Sequence, residues 1–376
     1  WINESAAMHD FVSGILENEP YNYVCNLTAG DEAKWPDDTQ VSQSKLMFPV
    51  QQVDYSSAEK PRNVVFQEYI ESKGYSIDFN TGLAKLEKDA DGRITGVIAQ
   101  STADDHFIRI NAAKGVLLAC GGYAGNPYMM EQLDPLGTSV TTACSYTPAD
   151  KGYGIRAAIW AGAHLDAEPA PVLFDRGLVA PGVDAGYVDS ENAFGGKAFP
   201  GTVGQYNPGS QPFLHVNVNG ERFMNEAMPI YDISEAILAQ PGRTCWVITD
   251  SRSRKGGTLG LKLADGTVRR SNTIEEMARA MDVPVNPLRR TISEYNEDAA
   301  KGLDRRFGKR IFTQAIDSPP YYWGREAVYV HMTLGGLAVS SEARLLDRRG
   351  MPIPGFWAAG ETTGGIFGRG RPGGMS

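Results

Sequence analysis

The glycine-rich segment 353–376 is the feature that most constrains the fold of this chain. It joins a short apolar stretch to one carboxylate, Glu361, two arginines and eight glycines. Such a backbone can lie directly against a bound molecule, because glycine has no side chain to keep the two apart. The carboxylate can accept hydrogen bonds from hydroxyl groups, and the arginines beside it can bind an anion through paired hydrogen bonds. The alternative interpretation is an ordinary glycine-rich loop with solvated arginines.

A second glycine-rich segment lies far upstream, at residues 113–126, with the sequence A-K-G-V-L-L-A-C-G-G-Y-A-G-N. Its continuous apolar run, 116–119, predicts a short strand that is buried on both faces. The glycines that follow this run predict a tight turn. Both segments therefore indicate an apolar strand that ends in glycine-rich backbone.

Together the two segments resemble the flavoprotein family of soluble fumarate reductases, relatives of succinate dehydrogenase, urocanate reductase and ketosteroid dehydrogenase. That family has approximately K-G-V-[IL]-L-A-[TS]-G-G-[FY] in the first segment and A-A-G-E-x-x-G-G-x-x-G-x-x-R-x-G-G in the second. The likeness extends from about Arg62 to the last residue, through the motifs at 152–155, 216–226 and 331–336. Several ordered motifs at matching separations make the resemblance specific.

Size and composition limit the classes of protein that this chain can belong to. Its 376 residues leave room for two domains, and the net charge of −9 argues against a nucleic-acid partner. No apolar run approaches the roughly 20 residues of a membrane-spanning helix. The four cysteines are scattered and form no C-x-x-C pair, so their spacing suggests neither a zinc site nor a thioredoxin-like motif.

Hydrophobic patterning predicts both helices and strands. Apolar residues at helical spacing predict helices over 5–16, 62–73, 152–163, 273–281 and 287–300. Short apolar runs predict strands over 75–79, 82–88, 94–100, 106–111 and 116–119, and a later hairpin that turns at 347–350. The stretch 18–62, rich in Asn, Asp, Pro, Ser and Gln, is predicted to form loops.

The resemblance implies an α/β fold, in which a doubly wound flavin-binding domain carries an inserted α+β capping domain. We expect the first part of the flavin-binding domain at 1–168, the capping domain at 169–328 and the return segment at 329–376. The strand, G-x-G-x-x-G turn and helix that open such a domain do not occur near the start of the chain. We therefore expect the pyrophosphate-binding unit upstream of Trp1. The match to G-x-G-x-x-G at 368–373 is formal, because too few residues follow it to build a helix.

By the same resemblance, the implied cofactor is FAD, held by the two glycine-rich segments and the turn before the helix at 152–163. The residues matched to the cofactor site are Cys120, Gly121, Gly122, Gly152, Gly154, Gly360, Glu361, Gly373, Gly374, Met375 and Ser376. The cysteine stands where the family has Thr or Ser. We expect it to be a small buried residue beside the cofactor and not a nucleophile.

Four positions match the part of the family that binds the substrate. Arg371 corresponds to the substrate-binding arginine, whose planar guanidinium suits a carboxylate better than an ammonium group does. His331, Met332 and Thr333 belong to the H-x-T-x-G-G segment that the family places over the substrate. The threonine can donate a further hydrogen bond. The alternative for the histidine is a packed side chain at a strand end.

The family delivers the proton from an arginine of the capping domain that is fed by a carboxylate. The stretch 246–254 aligns with the strand before that arginine, so Arg254 is the predicted donor, with Arg252 as the rival if the register shifts. Glu226 matches the relay carboxylate. Since arginine normally keeps its proton, this role requires a dry site and a partner that restores the proton quickly. The alternative for both arginines is a solvated basic loop.

Three departures from the family pattern argue against fumarate itself. The stretch 171–174 holds no histidine, Met332 replaces the second of two adjacent histidines, and the second relay arginine expected after Glu226 is missing. Tyr231 is our candidate for a substitute proton shuttle. The lost histidines remove contacts to a small dicarboxylate, and apolar replacements favour a larger, less polar substrate. Such a substrate would be an aryl or alkyl acrylate or a polycyclic enone.

The function that the resemblance implies is FAD-dependent reduction of an activated carbon–carbon double bond. Electrons would come from an unidentified donor, a cytochrome or a reduced flavin. A ketosteroid-type dehydrogenase is one alternative, although those relatives usually lack counterparts of Glu361 and Arg371. A non-catalytic, flavoprotein-like binding subunit is another. The compartment is left open between the cytoplasm and export.

Overall fold

The computed structural model describes residues 5–18, 20–22, 24–28, 52–56, 60–135, 150–166, 171–179, 204–205, 213–228, 230–253, 263–264, 266–309 and 315–365. These residues belong to two compact units. One unit takes in the described parts of 1–39, 44–82 and 100–107, and the other takes in 83–99 and the described parts of 108–376. Among the described residues, no helix is long and apolar enough to span a bilayer.

Two helices and one antiparallel strand pair are described in the first unit. Helices α1 (Ser5–Leu16) and α2 (Arg62–Ser72) pack through the buried side chains of Ile15, Leu16 and Val65, as their apolar spacing predicts. Strands β1 (Val24–Thr28) and β2 (Gln52–Ser56) pair antiparallel. The prediction of loops throughout 18–62 is therefore wrong at these strands. Their pairing joins residues far apart in sequence, which local composition does not indicate.

Three strands follow in the order β3–β4–β5, with bounds of Thr81–Lys88, Ile94–Ser101 and Phe107–Asn111. The turn between β3 and β4 closes on Asp89, whose side chain accepts a hydrogen bond from the backbone N–H of Arg93 at 2.9 Å. The predicted strand at 75–79 is wrong. Gly74 ends α2 with a φ of +80°, and the apolar residues after it are exposed, so their alternation forms no strand.

A mixed three-stranded sheet lies beside the glycine-rich segments. Strand β14 (Pro352–Ala358) pairs antiparallel with β13 (Arg344–Leu346) and parallel with β6 (Val116–Leu118). The predicted hairpin at 347–350 is confirmed. The expectation that β6 is buried on both faces is wrong, because Leu117 is 61% exposed. The physical reason is that the described residues cover only one face of β6, the face that carries the buried Leu118.

Two helices cover the buried side of this sheet. They are α3 (Pro127–Leu133) and α4 (Tyr153–Trp160), the second lying inside the predicted helix at 152–163. Their contribution to the core includes Met130 and Ile155, which pack with Phe356 of β14 and are fully buried. Burial of this kind is the main stabilising contribution to a small layered core. It also holds the ends of β6 and β14 in place.

A six-stranded sheet forms the largest layer. Its order is β8–β7–β12–β10–β9, with β11 also paired to β12, and the pairs are antiparallel. The bounds are Pro171–Leu178 for β7, Gly204–Gln205 for β8, Leu214–Val216 for β9, Thr244–Asp250 for β10, Arg269–Ser271 for β11 and Tyr321–Thr333 for β12. Strand β12 is the longest, and its last residue reaches the glycine-rich segments.

Three helices accompany this sheet: α5 (Ile230–Leu238), α6 (Ile274–Met281) and α7 (Val285–Lys301). The last two confirm the helices predicted at 273–281 and 287–300. Met277 and Leu288 of these helices pack against Ile248 of β10 and are fully buried. The side chain of Thr273 caps α6 by accepting a hydrogen bond from the backbone N–H of Glu276 at 3.1 Å.

Candidate active site

The ends of β6, β12 and β14 meet at Gly122. A Cβ atom at this glycine would lie 2.2 Å from Thr333 Oγ1 and 2.4 Å from Glu361 Oε1, so only glycine fits. The backbone N–H and hydroxyl of Thr333 both donate to Glu361 Oε1, at 2.7 and 3.1 Å. These bonds orient the carboxylate and bring together three residues that the sequence assigned to the site.

Thr362 joins the two glycine-rich segments and was missed by the sequence analysis. Its fully buried hydroxyl accepts from the backbone N–H of Cys120 at 3.0 Å and donates to the carbonyl of Gly121 at 3.1 Å. The only sequence signal for it is a hydroxyl residue directly after Glu361. The family motif leaves that position open, so motif matching passes over it.

The start of helix α4 completes the glycine cluster. Gly152 has a φ of +69°, and its backbone N–H donates to the carbonyl of Gly122 at 3.1 Å. A Cβ at Gly154 would lie 2.0 Å from the Sγ of Cys120. Gly360 also has a left-handed φ, +70°. The structure thus brings together every sequence-assigned cofactor residue that it describes.

The expectation that Cys120 is buried is wrong, because its side chain is exposed. Leu118 and Ala358, the last residues of β6 and β14, are buried. The two residues that follow each of these strands are exposed, and Cys120 is one of the four. The physical reason is that this cysteine lies past the last pair of the parallel ladder, where no described strand covers it. In open α/β sheets, ligands bind outside these carboxyl ends of parallel strands.

The described residues fit a nucleotide cofactor such as FAD. The glycines permit close backbone approach at an exposed strand edge, and Glu361 is a carboxylate that accepts hydrogen bonds from hydroxyl groups. Four further positions assigned to the cofactor lie outside the described residues: Gly373, Gly374, Met375 and Ser376. The fit to FAD therefore rests on the ends of strands β6, β12 and β14, which meet at Gly122.

The residues assigned to the substrate occupy the end of β12. His331 and Met332 are half-buried and Thr333 is fully buried. The pairing with β7 shifts register between Val330 and Met332, so His331 lies in a β-bulge. Bulges re-aim side chains and are frequent beside active sites. Arg371 lies outside the described residues.

Glu226 lies in a buried cluster of charged groups. Arg222 donates to both of its carboxylate oxygens, each at 2.8 Å, and Lys309 Nζ lies 3.1 Å from Oε2. Burial raises the pKa of Glu226, but Lys309 and Arg222 lower it by more, so the pKa lies below its usual value. Glu226 is therefore an ionised carboxylate at neutral pH.

Lys309 and Asp304 extend this cluster. The lysine is fully buried, donates to the hydroxyl of Tyr295 at 3.2 Å and has a pKa that burial lowers. The Oδ2 atom of Asp304 lies 2.7 Å from Nη2 of Arg222. The sequence analysis assigned no role to Lys309 or Arg222. The available signal was the spacing of Arg222 and Glu226, four positions apart.

Of the two candidate proton donors, Arg252 lies within the described residues and Arg254 does not. Arg252, the alternative proton donor, forms ion pairs with two carboxylates, Asp250 at 2.7 Å and Asp317 at 2.6 Å. Arg254 lies outside the described residues. Tyr231, the proposed shuttle, is half-buried in the first turn of α5. The donor role of Arg254 stays a prediction.

Asp304→Asn is expected to lower the free energy of unfolding at pH 7 by about 1.5–3 kcal/mol, since the charged hydrogen bonds are lost. Burial raises the pKa of Asp304, but Arg222 and the backbone N–H groups of Arg306 and Phe307 lower it below its usual 3.8. A carboxyl group with a depressed pKa stabilises the fold above its unfolded pKa, and this contribution disappears as pH falls through its folded value.

The measurement for this prediction is urea unfolding of wild type and variant between pH 7 and pH 3. The difference between the two proteins should be constant near neutrality and should narrow as pH falls below the usual carboxyl pKa. The exposed Asp91→Asn is the matched control, and it should change the free energy of unfolding at pH 7 by less than about 0.5 kcal/mol. A gap between wild type and Asp304→Asn that keeps its full neutral-pH size at pH 3 would contradict the assignment.

Comparisons with known proteins place this site in a family. The FAD binding domain family matches residues 60–376. The chain belongs to this family. The resemblance to fumarate reductase-like flavoproteins and the FAD cofactor, both predicted from the sequence, are confirmed. Cys120, Gly122 and Glu361 therefore lie in the part of the chain that this family matches.

Two curated relatives and one solved structure extend the comparison. A probable fumarate reductase of Shewanella frigidimarina is 29% identical over 307 residues, covering 80% of this chain and 48% of its own. A vinyl phenol reductase of Lactiplantibacillus plantarum is 30% identical over 330 residues, covering 80% and 64%. The open conformation of a flavocytochrome c3 fumarate reductase has a TM-score of 0.68 at 24% identity, covering 99% of this chain and 59% of that one. The predicted α/β fold class is confirmed, and the chain spans less than two thirds of these relatives' length.

Proposed function

We propose that the protein reduces an activated carbon–carbon double bond with FAD, and that its substrate is not fumarate. The observation that carries this proposal is the meeting of Gly122, Thr333 and Glu361 at an exposed strand edge. It supports a cofactor beside the very residues that match the family's substrate segment. The names of the relatives, a fumarate reductase and a vinyl phenol reductase, support the same class of reaction.

The proposed substrate has one carboxylate or carbonyl group and one larger, less polar end. Met332 supports this, since a half-buried thioether replaces a polar imidazole at the end of β12. A thioether accepts hydrogen bonds weakly and packs well against apolar and aromatic groups. A second carboxylate of the substrate would receive no hydrogen bond from the Met332 side chain, whereas a histidine at this position could donate one. Aryl or alkyl acrylates and polycyclic enones meet this description.

Each proposed catalytic residue has a separate task. FAD, when bound, supplies the hydride. Arg371 binds the activating carboxylate of the substrate, and Arg254 donates the proton that completes the reduction. Glu226 returns a proton to this arginine, with Tyr231 as the shuttle toward solvent. The ionised state of Glu226 supports its part, because a relay carboxylate must be free to accept a proton.

We further propose that residues 169–328 cover the substrate as a capping domain, with 1–168 and 329–376 in the flavin-binding domain. The long strand β12 supports this arrangement, because it runs from the large sheet to Thr333 at the glycine cluster. A cap of this kind excludes water from the reacting atoms. The electron donor is a cytochrome or a reduced flavin.

The test is anaerobic photoreduction of the flavin in the full-length protein, followed by mixing with a panel of acrylates and enones. Rapid return of flavin absorbance with one compound is the expected result, and that compound identifies the substrate class. Arg254→Ala should keep its flavin and reoxidise about 10²–10⁴ times more slowly. A near-normal rate in this variant would remove Arg254 as the donor. A flavin that no compound reoxidises, or a colourless protein, would contradict the proposed reaction.

A further inference from the structure

A buried cluster of three metal-ligand side chains lies in the six-stranded sheet, outside the residues assigned to the active site. His215 is on β9, Cys245 on β10 and Glu326 on β12, and each is at most 1% exposed. Cys245 and Glu326 face each other across the ladder, and β9 is the other neighbour of β10. One nitrogen, one sulfur and one oxygen of these side chains all lie within 4.8 Å of one another.

One distance within this cluster has the length expected between two ligands of a tetrahedral metal ion. Zinc–ligand bonds of about 2.0–2.3 Å place neighbouring ligand atoms about 3.2–3.8 Å apart. His215 Nε2 and Glu326 Oε1 are 3.2 Å apart. The other ring nitrogen, Nδ1, donates to the carbonyl of Phe213 at 3.0 Å, which turns Nε2 toward the carboxylate. A backbone carbonyl in this position is the usual partner that orients a metal-bound histidine.

The charges of the surrounding buried groups suit either a proton or a divalent ion. Glu226 accepts from the backbone N–H of His215 at 3.4 Å and connects the cluster to Arg222 and Lys309. The described charged groups here are three carboxylates and two cationic side chains. The carboxylates are Glu226, Asp304 and Glu326, and the cations are Arg222 and Lys309. These groups together carry one excess negative charge, which a bound cation can offset.

We propose that His215, Cys245 and Glu326 bind one divalent transition-metal ion of the zinc type. A mixed set of imidazole, thiolate and carboxylate ligands favours zinc over calcium and magnesium, which prefer oxygen ligands alone. Three protein ligands leave one position of a tetrahedral ion for a small molecule such as water. The ion joins three strands of the sheet, including the one that ends at Thr333. The scattered cysteine positions gave no zinc motif, because the ligands come from three separate strands.

The test uses the full-length protein, first treated with a chelator and then titrated with Co²⁺. The expected result is about one ion per chain, with visible bands typical of tetrahedral cobalt and a near-ultraviolet thiolate-to-cobalt band. Added Zn²⁺ should abolish both. Cys245→Ser should lose the thiolate band, whereas Cys120→Ala, which removes an exposed thiol, should keep it.

A second variant keeps the proposal testable if Cys245→Ser fails to fold. Replacing Cys25, Cys120 and Cys144 by alanine leaves Cys245 as the only thiol among these 376 residues. Retention of the thiolate band in this variant supports the site, and its loss overturns it. The proposal also fails if wild type binds less than about a tenth of an ion per chain. Cobalt binding does not depend on substrate turnover, so this result is independent of the proposed reaction.

Discussion

Gly122→Ala is expected to weaken FAD binding at least about tenfold and to lower the free energy of unfolding by about 1–3 kcal/mol. The added methyl group would meet Thr333 Oγ1 at 2.2 Å and Glu361 Oε1 at 2.4 Å. Neither oxygen can withdraw freely, because the two residues are joined by hydrogen bonds of 2.7 and 3.1 Å. Relief of the clash must therefore displace Glu361 from the position in which the site needs it.

Flavin absorbance after gel filtration and urea unfolding measure these two effects. Gly14→Ala is the matched control, since no heavy atom lies within 4 Å of a Cβ at this position in helix α1. That variant should retain flavin and gain about 0.5–1 kcal/mol of stability, because alanine favours the helix more than glycine does. If Gly122→Ala matched wild type in both measurements, the glycine cluster would not be the cofactor site.

Glu226→Gln is expected to lower the free energy of unfolding by about 3–5 kcal/mol, because it leaves buried cations without their carboxylate. Arg222 keeps Asp304 as a partner at 2.7 Å, but Lys309 loses an ion pair of 3.1 Å while fully buried. Turnover in the flavin reoxidation assay should fall by about 10²–10⁴, since glutamine cannot carry a proton. Glutamine is neutral and has nearly the same shape as glutamate, so the loss of the charge alone should cause both effects.

Exposed ion pairs provide the control for this prediction. Glu297 pairs with Arg305 at 3.4 Å, and both side chains are about half exposed. Glu297→Gln should change stability by less than about 0.5 kcal/mol, because solvent screens the pair. Adding Lys309→Met to Glu226→Gln should destabilise by less than the sum of the two single changes, since both charges are then absent. Strict additivity would show that the two side chains do not interact.

The structure also bears on how Glu226 can act in proton transfer. Two cationic groups stabilise its ionised form, so protonated Glu226 is a high-energy state. In the proposed relay, a proton would therefore stay on Glu226 only transiently. Lys309, whose pKa burial lowers, lies 3.1 Å from Glu226 Oε2. Lys309 does not occupy the sequence position of the missing second arginine, which the family pattern places a few residues after Glu226.

The sequence by itself determined the elements that depend on contacts between near neighbours. Helical spacing predicted α1 and α2, and a left-handed glycine, Gly74, ends the second helix. The hairpin after β13 was predictable because Asp347 accepts hydrogen bonds from the backbone N–H groups of Arg349 and Met351 within the same turn. The glycine motifs indicated close backbone approach to a bound molecule, and their resemblance to a flavoprotein family implied that this molecule is FAD.

Only the tertiary structure decided which distant residues share a site. Cys120 and Thr362 are 242 positions apart and are joined by one hydroxyl. His215 and Glu326 are 111 positions apart, and no spacing rule connects them. The exposure of Leu117 likewise depends on which face of the sheet is covered and not on the apolar run that contains this residue. Local propensity acts over a few residues, whereas strand order and burial depend on how the whole chain packs, so sequence patterns alone do not reveal these contacts.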